Sequence, residues 1–421
     1  MNKNKKKIWD VAVIGGGPAG MMAAGRAAEL GASVILLEKN NSLGKKLLIS
    51  GGGRCNLTNA EFNVRKFLSK FKESDKFLFS AFSQWDAKNT IDFFNAKDMQ
   101  TKVEDENRVF PVSDSAKSVW SVLVKYMRKG GVTISYNSPV SGFIKYENKI
   151  KYLKLENGDE IHASSFILAT GGSSRPETGS TGDGCIWLHK IGHNIIDTNP
   201  ALVPIVIKDP WIKRLQGVSL KNVKITVSQN DKKELSKEGK ILFTHFGLSG
   251  PAILNLSKDV GELLKYGVVT ISLDLMPLMD YGVLDIKIQE MFVKNINKKF
   301  TNSLDGLFPD ALTSIIVWLS NIDKDKFCHS ISRAERLALG KLIKNIPMQA
   351  VKLLGVKKAI ITSGGVDLKE VDFKNMRSRL FKNLYIVGDM LNIDKPSGGY
   401  SLQLCWTTGY IAGNASAKKD D

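Results

Sequence analysis

Cysteine is scarce in this 421-residue chain: Cys55, Cys185, Cys328 and Cys405 are all there are, far apart and without a C-x-x-C pair. That spacing argues against a zinc site and against a disulfide scaffold, so no metal is expected and reduced thiols in a reducing compartment are the default. No apolar run approaches the roughly eighteen residues of a membrane span, so no membrane partner is expected. The opening Met1-Asn-Lys-Asn-Lys-Lys-Lys7 leads into a short core-type strand and not into a signal-peptide apolar segment. A cytoplasmic protein is the expectation. Acidic residues are in deficit too: 60 Lys plus Arg face 42 Asp plus Glu, a formal charge of +18. Such an excess concentrates anionic partners and favours RNA or an acidic ligand. A compositional drift toward Lys, Asn and Ile, with the lysines spread along the chain, would give the same excess. Nothing in the sequence sets an oligomeric state.

What is present starts with 43% hydrophobic residues, enough for a large core, over a length that suggests two or three domains. The most informative stretch is Asp10-Val-Ala-Val-Ile-Gly-Gly-Gly-Pro-Ala-Gly20, a β-branched apolar run that stops in glycines and flows into a small-residue helix. Gly15, Gly17 and Gly20 fit G-x-G-x-x-G: the first for a tight turn, the second for approach of a pyrophosphate, the third for helix–strand packing. The pyrophosphate would rest on the helix N-terminus, where free N–H groups favour an anion. A second strand, residues 31–39, carries Glu38 eighteen positions beyond Gly20, where such folds place the acid that binds a ribose.

Further along, Gly51-Gly-Gly-Arg-Cys-Asn56 is a loop whose backbone can lie against a flat ligand while Arg54 and Asn56 supply charge and hydrogen bonds. Residues 62–95 read as helical and 116–130 as a helix. Residues 132–136 look like a third parallel strand, with Val140 just after it where a backbone group meets an adenine in such folds. A strand pair over 142–146 and 150–156 is expected with the Asn157-Gly158 turn signal. Residues 165–172 give a fourth strand ending on Ala169-Thr-Gly-Gly172. Asp183 reads as a helix cap and His193 as a solvated loop histidine.

Beyond Pro200 the pattern changes to strands of a separate antiparallel domain, over 202–207, 220–227 and 268–275, and then to helices over 284–293, 309–321 and 332–354. The last sixty residues return to strands ending in glycines, over 359–367 and 383–390, the second ending on Gly388-Asp389. Lys395-Pro-Ser-Gly-Gly-Tyr-Ser-Leu-Gln403 then precedes another small-residue helix. The expected organisation is α/β: a nucleotide-binding domain over 1–198 and 356–421, split by a β-rich domain over 199–283 and a helical region over 284–355.

With Gly51 to Asn56, Ala169 to Gly172, Phe243-Thr-His-Phe-Gly-Leu-Ser-Gly-Pro251, Ser363-Gly-Gly-Val366 and Gly398-Gly-Tyr400 in view, the whole chain resembles the BaiN/RdsA (YhiN-like) family of FAD-dependent oxidoreductases. The resemblance implies a two-dinucleotide-type, Rossmann-like FAD domain, split by an antiparallel β-rich insertion and a helical cap. By position it implies that Gly15, Gly17, Ala19 and Gly20 hold the pyrophosphate, Glu38 and Lys39 the adenosine ribose end, and Val140, Thr170 and Gly171 the adenosine side. Arg54, Cys55 and Asn56 then meet the flavin region, and Gly388, Asp389, Gly399 and Ser401 the ribityl and pyrimidine end. The chain departs from the family where relatives show Gly-Glu-x-Leu-Asp and Gly-Gly-Tyr-Asn: here Asp389, Asn392 and Ser401 stand instead. Asp389 keeps a carboxylate one methylene shorter.

The resemblance implies hydride exchange at flavin N5. No second G-x-G-x-x-G follows a strand, so NAD(P)H, if it is the donor, binds transiently over the ring. The leading expectation is reduction of an activated C=C bond, with uridine in 23S ribosomal RNA as substrate and Cys55, His245 or Tyr400 as proton donor. Three alternatives stay open: reduction of an unsaturated steroid-type molecule, oxidation of a small amine or aminoketone by oxygen, and an RNA-binding module that keeps FAD as structure.

Overall fold

The computed structural model describes residues 7–355 and 361–418. The lysine-rich start, and Ala359-Ile360 of the strand expected over 359–367, lie outside them. The chain divides into two compact units, one made of Met1–Pro200 and Ala359–Asp421, the other of Ala201–Lys358.

In the first unit β1 (Ile8–Ile14), β2 (Val34–Leu37), β3 (Thr133–Ser135), β4 (Glu160–Leu168) and β5 (Leu384–Ile386) form a parallel sheet in the order β5-β4-β1-β2-β3. Both faces are covered, and this is why β1 from Val11 to Ile14 and β2 are continuous apolar runs instead of alternating ones. The register aligns Ile14 with Leu37 and with Leu168, and Leu168 with Ile386. The loops that follow these four strands therefore leave the sheet at one edge, where open α/β sheets bind ligands. Helix α1 (Pro18–Glu29) begins there, and α2 (Tyr400–Ser416) lies on it. At Gly409 a Cβ would fall 2.4 Å from Ala19 O, so the small residues of α2 are what let the two backbones meet.

Some local expectations are corrected. The Asn157-Gly158 turn joins Lys149–Leu155 to β4; the pair Val140–Tyr146 and Lys149–Leu155 is closed by Glu147-Asn148, because Tyr146 pairs with Lys149 across a two-residue loop. His193 is not solvated. Its ring is 1% exposed, with Nδ1 2.7 Å from Glu370 Oε2 and Nε2 3.0 Å from Ser378 Oγ. Asp183 opens the helix Asp183–Ile191, whose N-cap is Gly182, and its carboxylate accepts from Lys39 Nζ at 2.8 Å.

The second unit is a closed six-stranded antiparallel barrel with helices packed on it. Its order is Ile205–Ile207, Gly247–Ser249, Lys232–Thr244, Ser219–Gln229, Val269–Asp274 and Ile346–Leu353, the last pairing back to the first. The helical pattern expected over 332–354 stops at Lys344. From Ile346 on, Ile346, Met348 and Ala350 are buried at every second position, and Pro347 cannot continue a helix. Since the sixth strand comes after the helices, barrel and helices share one core, in which Ile225 and Ile271 join Ile288, Ile315 and Leu339. The expected division at 283/284 is therefore not a division of the fold. Among the described residues no helix is long and apolar enough to cross a membrane.

Candidate active site

A cavity of about 250 Å³ lies at the carboxyl edge of the parallel sheet, and the four strand-end loops line it. The first is the glycine turn. Gly15 has φ +102°, and a Cβ on Gly20 would fall 1.9 Å from Gly15 O, so both positions require glycine. At Gly17 the space is open: a Cβ there would meet nothing within 4 Å. Gly17 is also the N-cap of α1, no side chain caps it, and Pro18 sets the first helical φ. The helix thus presents free N–H groups and its positive end to the cavity.

The second loop carries Glu38, 7% exposed. Its Oε2 accepts from Gly16 N at 2.8 Å, and its Oε1 from Asn40 N at 2.8 Å and Asn40 Nδ2 at 2.7 Å. These donors fix the carboxylate against the glycine turn and leave lone pairs for a further donor. Lys39 Nζ bonds Asp183 and Thr181. Burial alone would raise the Asp183 carboxyl, but the Lys39 ammonium and the Thr181 hydroxyl bring it below its ordinary value. Val140, Thr170 and Gly171 line the same region, the Thr170 hydroxyl pointing 2.9 Å from Met390 Sδ.

The fourth loop brings Gly388 and Asp389, and there the structure adds two residues that the sequence did not single out. Lys395 Nζ lies 3.0 Å from Asp389 Oδ1, and Lys46 Nζ 3.6 Å from Oδ2. Burial raises the Asp389 carboxyl, but the two ammonium groups outweigh it and hold it at about 2. Ser401, at the start of α2, lines the cavity with its Oγ buried and without a hydrogen-bond partner among the described residues. An uncapped helix end, an open glycine cradle, a buried carboxylate of the ribose-binding type and an orphaned hydroxyl around one cavity are the donor and acceptor set that a dinucleotide needs. The cleft fits FAD.

Of the remaining expected residues, Gly20 and Gly399 shape the backbone beside the cavity without lining it, and the Arg54–Asn56 loop is held against α2. With its amide oxygen toward Gly399 N, Asn56 accepts at 3.0 Å and donates to Thr58 O at 3.0 Å. Thr58 Oγ1 bonds Gln403 at 2.7 Å, and Trp406 Nε1 donates to Leu57 O at 2.9 Å. The guanidinium of Arg54 does not face the cavity. It pairs with Glu104 and Asp114 and lies over Phe110, 4.2 Å from the ring centroid. Its charge is thereby engaged by two carboxylates 50 and 60 positions away in sequence.

Cys55 is fully buried, and burial pushes its thiol up to about 12. Tyr400 is likewise raised to about 12, chiefly by burial, with its ring 4.7 Å from Phe67 and 5.9 Å from Phe71. Both are fully protonated at neutral pH, and neither lines the cavity. His245 belongs to the other unit, exposed in the turn between Lys232–Thr244 and Gly247–Ser249.

Residues 9–415 match the family described as HI0933-like protein Rossmann domain. The chain belongs to that family. It is 30% identical over 407 residues to the ribosomal RNA dihydrouridine synthase of Escherichia coli (strain K12), covering 96% of each chain. It is 28% identical over 423 residues to the 3-dehydro-bile acid delta(4,6)-reductase of Clostridium scindens, covering 97% of this chain and 99% of that one. In fold it is similar to the 3-ketosteroid delta1-dehydrogenase of Sterolibacterium denitrificans, with a TM-score of 0.57 at 15% identity over 97% of this chain and 99% of that one. This member of the HI0933-like family is an FAD-dependent oxidoreductase.

Proposed function

We propose that this protein is an NAD(P)H-driven reductase of an activated C=C bond, and that its substrate is a uridine of 23S ribosomal RNA. The observation that carries the reading is the end-to-end similarity to a ribosomal RNA dihydrouridine synthase, over 96% of both chains. The formal charge of +18 suits a polyanionic substrate. Saturating a uridine and reducing a delta(4,6) bile acid are the same chemistry on different molecules, so the second relative supports the reaction class and offers a steroid-type enone as the other reading.

FAD, when bound, supplies hydride transfer at N5. In this reading the glycine turn and the α1 N-terminus, through Gly15, Gly17, Ala19 and Gly20, bind the pyrophosphate. Glu38 binds the adenosine ribose with Lys39 beside it, and Val140, Thr170 and Gly171 hold the adenosine side. Asp389, with Gly388, Gly399 and Ser401, would hold the ribityl and pyrimidine end, and the Arg54–Asn56 loop would belong to the flavin region through its ties to the start of α2. Cys55, Tyr400 and His245 are the candidate proton donors; Cys55 and Tyr400 are protonated but stand outside the cavity lining, so either would act only through a group that reaches it.

The test is anaerobic reduction of the yellow protein by NADH or NADPH, followed by reoxidation with unmodified 23S ribosomal RNA, with a steroid enone, or with air. Reoxidation by the RNA, with dihydrouridine detected by mass spectrometry, is the expected result. Reoxidation by the enone alone would move the substrate to the steroid class. Rapid turnover with oxygen and indifference to both would make the protein an oxidase.

A further inference from the structure

Lys395 is the one lysine among the described residues that is buried, 3% exposed with its side chain fully enclosed. An ammonium removed from water is retained only against a compensating charge. Its compensation is Asp389, 3.0 Å away, whose side chain is 14% exposed and lines the FAD cavity. Beyond that ion pair neither Lys395 Nζ nor Asp389 Oδ1 has a hydrogen-bond partner among the described residues. A buried pair of this kind adds little net stability compared with apolar packing. What it does provide is a fixed arrangement: the carboxylate on the cavity wall and the cation directly behind it. Lys46 approaches the other oxygen from the cavity side, less closely at 3.6 Å and 25% exposed, so solvent weakens its hold.

We propose that Lys395 is a positioning residue for the flavin: it holds Asp389 at the cavity wall as an acceptor, and it places its ammonium against that carboxylate. The inference rests on the assignment of Asp389 to FAD under the proposed function. A bare carboxylate at that wall would oppose reduction of bound FAD, because reduction adds negative charge to the cofactor. The ammonium cancels that opposition. The same residue thereby serves affinity and reduction potential together. The shorter Asp389 is suited to this role, since its carboxylate reaches the cavity wall while remaining in contact with the buried cation.

The experiment reconstitutes FAD into apoprotein carrying Lys395→Met, Lys395→Arg, Asp389→Asn or the pair Asp389→Asn/Lys395→Met. It reads the FAD Kd from flavin fluorescence and the midpoint potential of the bound cofactor. Lys395→Met is expected to weaken FAD about tenfold or more, as loss of a charge-assisted contact does, and to make the potential more negative. Lys395→Arg is expected to stay near the parent in both. Should Lys395→Met fail to fold, the paired variant, which removes both charges, is compared with Asp389→Asn; its potential is expected to be the more negative of the two. If Asp389→Asn weakens FAD while Lys395→Met changes neither Kd nor potential, the pair is structural and the proposal is overturned. If Asp389→Asn itself binds FAD like the parent, the assignment of Asp389 fails first, and the proposal with it.

Discussion

The two units carry the same net charge and handle polarity in opposite ways. Residues 201–358 hold 24 Lys plus Arg against 15 Asp plus Glu, the rest of the chain 36 against 27, so each unit is at +9. In the nucleotide unit, however, Glu38, His193, Lys395 and Gln403 are buried, each tied to named partners. In the barrel unit the buried polar side chains among the described residues are hydroxyls: Ser257, Ser272, Ser303 and Thr313. Burying a charge is unfavourable unless it is paired, and the pairing arrangement has to be held for a reason. The difference therefore points to the first unit for the cofactor chemistry and makes the second an apolar-cored scaffold, whose most enclosed charges among the described residues, Lys344 and Asp274, pair with each other away from any cavity wall and remain 10% and 13% exposed. It also shows that the basic excess is not confined to one unit.

The largest effect that would sharpen this contrast is a cavity in the barrel. Phe243, 1% exposed, anchors the barrel core, and Phe243→Ala is expected to destabilise that unit by about 3–5 kcal/mol. Calorimetry should show one transition moving down while the FAD Kd stays constant; a matching loss of FAD would break the separation of roles. Next in size is Glu38→Ala, which removes a buried acceptor of three hydrogen bonds. It is expected to weaken FAD by about 1.5–3 kcal/mol, roughly 10- to 100-fold, without unfolding the chain. Unchanged flavin content would refute the ribose role.

The smallest effect concerns pH. Burial holds the His193 ring below its ordinary value of 6.5, despite the Glu370 carboxylate beside it. The unfolded chain then binds the proton more readily than the folded one, so stability is present above the ordinary histidine range and falls as pH drops through it. Melting temperatures between pH 8 and pH 5 should decline on the acid side, and His193→Gln should flatten that decline. An identical profile in the variant would mean that another group governs it.

Much of the nucleotide site was legible because its signals are local. The apolar runs of β1 and β2, the three-glycine turn and Glu38 lie within one short βαβ stretch, and each element follows from residues near it. Arg54 was not legible: its position beside glycines suggested a flavin contact, whereas Glu104 and Asp114, brought close by folding, took its guanidinium. The sixth barrel strand was hidden as well. Its alternation over 346–353 follows directly on the helix Arg333–Lys344, and only pairing with distant strands distinguishes it from the helix before it.

By itself the sequence determined the parallel sheet, the glycine turn at the head of α1 and the acid at the end of β2, because strand runs, turns and caps are set by neighbouring residues; that the dinucleotide is FAD followed from the family resemblance. The tertiary structure alone decided which charges are buried and what they face. Asp389 and Lys395 are six positions apart, yet nothing in that spacing distinguishes a solvated lysine from an enclosed one. Burial is a property of everything packed around a side chain, and the neighbours of this pair include Cys405 of α2 and Lys46, which the chain supplies from both of its ends.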